Sequence, residues 1–291
     1  MSLGHVFLAS VVPGLLVILL LGFGVLAAMW PFHTWSPVGH VAAPTAVSML
    51  HAGVLMKLGS FAILRVAMYL CPEGFQYWAH FMALLATTGI VYGVFVGLAQ
   101  TDLKYVIGYS SVSHMGIVCL GLATGTMDGL NGSVFQMFAH GIMTALFFSA
   151  IGYIYDRTHT KLIPELGGLS RIMPVASGYF ILAALTAIGV PCLASFWGEL
   201  MVFIAAFRVY PVGGVFAVGA LVIGALFVLR VVQRAFYGPA NEKFAHLKDM
   251  PFRLGIPRMI LAAVIVLFGL MPSILFDVIQ TASVPFIRGL P

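Results

Sequence analysis

Apolar runs of about 20 residues recur from Phe7 to the last thirty residues of the chain, and a run of that length crosses the ~30 Å hydrocarbon core of a bilayer as a helix. Inside hydrocarbon there is no water to bond backbone N–H and C=O groups, so such segments must pair them internally. Composition agrees. Hydrophobic residues make up 61% of the 291 residues and charged residues 8%, against roughly 25% charged in a soluble domain, and the mean hydropathy is +1.07. A soluble enzyme, a disordered linker and a secreted disulfide scaffold are excluded. The pattern is that of an all-α polytopic membrane protein.

Windowed hydropathy predicts about eight transmembrane helices, near 7–30, 41–69, 76–98, 104–124, 130–153, 174–206, 212–236 and 258–281. The loops after the first, third, fifth and seventh spans, with the helix ends beside them, hold Lys104, Arg157, Lys161, Arg171, Arg234, Lys243, Lys248, Arg253 and Arg258. The opposite side holds Arg65, Arg208 and Arg288. This bias predicts that the first side is cytoplasmic and that both termini are periplasmic, in a multi-pass protein of the inner (cytoplasmic) membrane. Met1-Ser2-Leu3-Gly4-His5 carries no lysine or arginine, which fits a first spanning helix rather than a cleaved signal peptide. The net charge of +5 does not imply nucleic acid, because the basic residues form no stripe and are not interleaved with aromatics. Cys71, Cys119 and Cys192 are far apart with no CxxC, so no zinc or iron–sulfur site is supported.

The span at about 174–206 is too long for one straight helix, and Ala187-Ile188-Gly189-Val190-Pro191-Cys192 sits near its middle. Pro191 removes a backbone donor there. A broken helix at membrane depth persists where protein or water satisfies the freed groups, and such breaks mark ion paths in transporters; a simple proline kink is the competing reading. Four ionisable side chains fall near the centres of spans: Lys57, His114, His140 and Glu199. A central lysine costs about 2.5–3.5 kcal/mol on insertion scales. Each has polar neighbours at helical spacing: Ser60 beside Lys57, Ser110 and Ser111 beside His114, Ser133, Gln136 and Thr144 beside His140, and Ser195 beside Glu199. Stripes of this kind facing a common interior hold chains of water, and histidine titrates near neutrality, so a lysine–histidine–histidine–glutamate series at similar depth suits lateral proton transfer. Asp102, Asp156 and Asp277 fall at helix ends, where capping or solvation accounts for them. His114 and His140 are one pair of membrane histidines of the sort that ligate haem, but a haem bundle needs a second pair, and none is present.

Several segments resemble a known family. Trp30-Pro31-Phe32-His33-Thr34-Trp35 leads into His40-Val41-Ala42-Ala43-Pro44-Thr45-Ala46 and Ala52-Gly53-Val54-Leu55-Met56-Lys57-Leu58-Gly59. Gln100-Thr101-Asp102-Leu103-Lys104, Tyr109-Ser110-Ser111-Val112-Ser113-His114-Met115-Gly116, Ala139-His140-Gly141 and Gly167-Gly168-Leu169 follow. From about residue 24 to Pro239 the chain is similar to the antiporter-like subunits of respiratory complex I (NADH:quinone oxidoreductase), of related membrane hydrogenases and of Mrp cation/proton antiporters. Ala139-His140-Gly141-Ile142-Met143-Thr144 resembles the M type, since the L and Mrp types tend to have lysine at the position of Thr144.

The resemblance implies a fold of two inverted five-helix repeats, each with one broken helix. Here residues 1–70 would supply two helices matching the end of the first repeat, 71–240 the complete second repeat, and 241–291 a loop and a C-terminal transmembrane helix. It implies a proton-translocating subunit with no redox cofactor of its own, partnered by other membrane subunits, with NADH, FMN, iron–sulfur clusters and quinone held elsewhere in the assembly. By its pattern, Lys57 matches the central lysine, His114 and His140 the relay positions, and Glu199 the terminal carboxylate. Two departures stand out. The first-repeat lysine position falls at about Leu26, its glutamate would lie upstream of Met1, and the family's frequent Leu-Pro-Asp-Ala-His is here Ser36-Pro37-Val38-Gly39-His40. Two alternatives to a conducting complex I subunit therefore stay open: a cation/proton antiporter or membrane hydrogenase subunit, and a non-conducting structural subunit of a membrane arm.

Overall fold

The computed structural model describes residues 3–288, with side chains described for residue 14 and for residues 16–283. Both chain termini, for which the charge bias predicts a periplasmic position, lie outside the described residues. Within them the chain is nearly all helix: α1 (Leu3–Leu26), α2 (Trp35–Ala42), α3 (Thr45–Met68), α4 (Pro72–Ala99), α5 (Leu103–Ala123), α6 (Met127–Thr158), α7 (Pro174–Ala187), α8 (Ala194–Val209), α9 (Pro211–Phe236), α10 (Phe252–Leu270) and α11 (Ser273–Arg288). Six of these, α3 to α6, α9 and α10, are long and apolar enough to cross a bilayer unaided. This is a multi-pass membrane protein.

Local chemistry sets the helix ends. Asp102 caps α5, its Oδ1 accepting from the amides of Lys104 at 2.8 Å and Tyr105 at 3.4 Å. Thr126 caps α6 by accepting from Gly129 N at 3.1 Å. Prolines open α4, α7 and α9, where the missing amide hydrogen costs nothing. The predicted break in 174–206 is real. The 14 residues of α7 and 16 of α8 span about 21 and 24 Å, each short of the hydrocarbon core, and residues 188–193 between them are unwound. Gly189 and Cys192 take positive φ there, at 69° and 72°. α10 closes one side of this opening: Trp197 Nε1 donates to Gly269 O at 2.8 Å, and a Cβ on Gly269 would meet Leu193 Cα at 2.6 Å, while Pro191 and Cys192 stay exposed. A second unwound stretch separates α1 from α2, where the carbonyl of Val25 accepts from Ala28 N at 3.0 Å and from Trp35 Nε1 at 2.8 Å.

The structure corrects the extent of two spans. The segment expected at 258–281 is divided: α10 stops at Leu270, and α11 starts at Ser273 after Met271 and Pro272, because Pro272 cannot continue the hydrogen-bond ladder. The segment expected at 41–69 starts at Thr45, after extended Pro44. It also contains two π-helical stretches, His51–Leu55 and Ile63–Met68, on either side of Lys57.

The interior is built around α5, almost wholly enclosed, and α6, which touches helices on every side. Three loops meet at one end of the bundle. Leu103 N donates to Lys161 O at 2.9 Å, Ile163 N to Thr101 O at 2.8 Å, and Asn241 N to Gly167 O at 3.3 Å. These loops and the helix ends beside them carry most of the lysine and arginine excess, so this end is the basic face. Arg208 pairs with Asp128 at 2.7 Å on the opposite end.

Small residues let the helices approach. Gly53 on α3 and Gly141 on α6 meet backbone to backbone: a Cβ on Gly141 would lie 2.8 Å from Gly53 O. Membrane helices associate through such small-residue contacts. Gly178 on α7, by contrast, faces open space. Gly141→Ala is therefore expected to lower the thermal midpoint of the purified protein, by an amount matching about 1–3 kcal/mol of overpacking, whereas Gly178→Ala should leave it unchanged or raise it. Equal effects of the two exchanges would show that the Gly53–Gly141 contact does not hold α3 against α6.

Candidate functional site

The Gly53–Gly141 contact fixes where Lys57 goes. One turn beyond Gly53, the lysine side chain extends from α3 to α6, and its Nζ lies 2.5 Å from His140 Nδ1. It also donates to Ala52 O, a carbonyl of the His51–Leu55 π stretch. Wide π turns of this kind displace a carbonyl from the regular ladder and recur at functional sites. Lys57 is buried and His140 is fully enclosed, so the ammonium meets its partners away from solvent.

From His140 the polar groups continue through α5 to α8. The His140 and His114 rings lie 5.1 Å apart, centroid to centroid, tilted by 37°. His114 Nδ1 is 3.2 Å from Glu199 Oε1. Gln136, one turn before His140 on α6, sits at the junction. Its Nε2 donates to Glu199 Oε1 at 3.1 Å and lies 3.3 Å from His114 Nδ1. A second close approach makes this contact possible, since a Cβ on Gly198 would meet Gln136 N at 2.8 Å. The unwound segment supplies the rest: Glu199 Oε2 lies against Gly189, where a Cβ would come within 2.5 Å of it.

The four ionisable residues singled out from the sequence thus form one buried row in the order Lys57, His140, His114, Glu199. Its three steps are of two kinds. Lys57–His140 and His114–Glu199 are within hydrogen-bond reach. The two histidine rings are in contact without a direct hydrogen bond, and His140 Nε2 has no partner among the described residues. The His114–Glu199 pair can hold one proton on either side: an ionised Glu199 accepts from His114 Nδ1–H, and a protonated Glu199 donates to a neutral Nδ1. Gln136 Nε2 donates to the carboxylate in the first state.

The supporting polar residues divide. Gln136 joins the row directly. Ser110 lines a small cavity of about 20 Å³ together with His114 and Ser113, a volume at the scale of one water molecule. Ser111 and Ser195 are fully buried, and their hydroxyls have no partner among the described residues. Thr144 is turned to its own helix, its Oγ1 donating to His140 O at 2.8 Å. Ser60 and Ser133 likewise bond to backbone, Ser60 to Lys57 O at 3.1 Å and Ser133 to Val118 O at 2.9 Å.

Sequence reasoning missed a second histidine cluster. His40 is fully buried, its Nε2 is 3.1 Å from Ser36 Oγ, and its ring lies 4.6 Å from that of His51. The i, i+4 spacing of Ser36 and His40 on α2 was the available signal. Gly189 was also missed as a site residue; only the folded break brings it against Glu199.

Comparison with known proteins places this geometry in a family. Residues 5–224 match the transmembrane family described as NADH:quinone oxidoreductase/Mrp antiporter. NADH-quinone oxidoreductase subunit M of Rickettsia typhi is 38% identical over 262 residues, 89% of this chain and 52% of that protein. Subunit M of Rhodobacter capsulatus is 36% identical over 258 residues, covering 88% and 50%. The chain therefore spans about half the length of the curated relatives it matches. Among solved structures, a chain of respiratory complex I from Thermus thermophilus superposes with a TM-score of 0.89 at 27% identity, over 95% of this chain and 58% of that one. A chain of the Mrp complex from a Dietzia species has the same fold, with a TM-score of 0.86 at 19% identity over 94% and 60%. With its broken helix and inward-facing polar residues, the chain belongs to the NADH:quinone oxidoreductase/Mrp antiporter transmembrane family.

Proposed function

We propose that this chain is a proton-translocating membrane subunit of the M type in a complex I-like NADH:quinone oxidoreductase. The observation that carries the reading is the row of buried groups from Lys57 through His140 and His114 to Gln136 and Glu199, contributed by four helices and hydrogen-bonded at both ends, with a ring contact between the two histidines. The names of the Rickettsia and Rhodobacter relatives support the subunit type. In this reading residues 71–240 act as one complete repeat, residues 1–70 as the end of the preceding one, and 241–291 as a peripheral C-terminal segment. The chain sits in the inner membrane with its basic face cytoplasmic and both termini periplasmic. It holds no redox group, and the NADH, FMN, iron–sulfur and quinone chemistry belongs to partner subunits.

The row works by proton exchange between neighbours. Lys57 gives a proton to His140 Nδ1 across 2.5 Å. Rotation of the imidazole, or a water between the rings, carries it to His114, and Glu199 receives it across 3.2 Å. An electric field or hydration change at Lys57, driven by electron transfer elsewhere, shifts the balance and gives direction.

Lys57→Ala in the native complex is expected to reduce proton uptake by inverted membrane vesicles about 10²-fold, the low end of what a positioned acid–base group contributes, with electron transfer falling in parallel. Full uptake in this variant, or normal coupling in a Lys57→Ala/Glu199→Gln double variant, would favour a structural subunit. A requirement for sodium would favour a cation/proton antiporter.

Gly189→Ala tests the other end of the row. The added methyl meets Glu199 Oε2 and sits at φ 69°, a conformation that alanine adopts only with strain. Proton uptake should fall several-fold while assembly of the complex is retained, and unchanged uptake would remove Glu199 Oε2 from the working path.

A further inference from the structure

At the basic face, the ends of α4 and α9 and the loop before α7 enclose a recess of about 550 Å³. Leu98, Phe227, Val231, Ile163 and Leu166 form an apolar part of its wall, Gln100 and Thr101 a polar part, and Arg230 and Arg234 complete the lining. The two arginines are one turn apart on one face of α9, and both are exposed. Among the described residues neither guanidinium has a carboxylate or carbonyl partner. The same face of α9 continues away from the basic end through Leu226, 62% exposed, and Val222, 58% exposed. Four consecutive turns thus present two apolar side chains followed by two cations.

A cation near a helix C-terminus offsets the helix dipole, and one arginine would suffice for that. Two unpaired guanidiniums above an apolar stripe, at the depth where helices leave the bilayer, match an amphiphile with an anionic head. Arginine binds phosphate oxygens through paired N–H donors, and basic pockets between membrane helices on the cytoplasmic side, where the proposed function puts this face, accept anionic headgroups.

We propose that this recess is a binding site for one anionic phospholipid. Its phosphate lies between Arg230 and Arg234, and an acyl chain runs along Leu226 and Val222. The site is separate from the Lys57–Glu199 row and does not depend on whether that row conducts.

The test uses the purified membrane complex with wild-type chain or with Arg230→Gln/Arg234→Gln, delipidated, supplied with phosphatidylglycerol or phosphatidylcholine, and analysed by native mass spectrometry. Retention of one phosphatidylglycerol, favoured about 10-fold over phosphatidylcholine and lost in the double variant, is the expected result. The thermal midpoint in phosphatidylcholine confirms that the variant is folded, and the single exchange Arg234→Gln gives the same readout if the double variant is not. Equal retention of the two lipids, or undiminished phosphatidylglycerol on a folded variant, overturns the site. So does efficient cross-linking of an Arg234→Cys chain to a neighbouring subunit, which would make the occupant a protein.

Discussion

An ammonium group in the middle of a membrane helix must be met by acceptors within the protein, because the bilayer offers none. For Lys57 those acceptors are His140 Nδ1 and Ala52 O, and much of the architecture serves to bring them there. The π stretch His51–Leu55 turns a carbonyl toward the side chain. Gly53 and Gly141 remove the side chains that would hold α3 away from α6. The enclosed position of α6 leaves His140 no exposed surface. A lysine without these three features would be a liability in this helix; with them it becomes one end of a polar row.

The other end depends on a different device. Glu199 is buried one turn and a half beyond an unwound segment; Gln136 and His114 hold its Oε1, and its Oε2 fits where Gly189 has no side chain. Breaking the helix between α7 and α8 makes that room, and Gly269 and Trp197 close the opening from the side of α10. Irregular backbone at membrane depth is tolerated where protein covers it, and α10 does so at Leu193. The two ends of the row rest on the same principle, local departure from α-helical regularity, applied once as a wide turn and once as a break.

The helical class, most of the spans and the break near Pro191 were legible from apolar periodicity and proline chemistry alone. Lys57 and Glu199 were legible too, because ionisable groups amid apolar residues are costly and therefore conspicuous. The order of the row was not. Sequence spacing places Gln136 and Thr144 alike one turn from His140, yet Gln136 joins the row and Thr144 bonds to its own helix, since only the former faces the crossing of α6 with α8. The division of the last span at Pro272 was also hidden, because hydropathy averages over the turn.

What the sequence by itself determined is the set of groups and the medium: an apolar chain that must be helical in a bilayer, a basic excess in alternate loops, and four ionisable residues too expensive to be incidental. Only the tertiary structure decided which of them touch. Contact between Lys57 and His140, 83 positions apart, and between His114 and Glu199 depends on helix crossings set by glycine placement and on backbone irregularities that break helical periodicity. The physical reason is one of range. Burial and hydrogen-bond satisfaction act within a helix and leave a mark in the sequence, whereas the approach of two helices to within a few ångströms is settled by packing between segments distant in the chain.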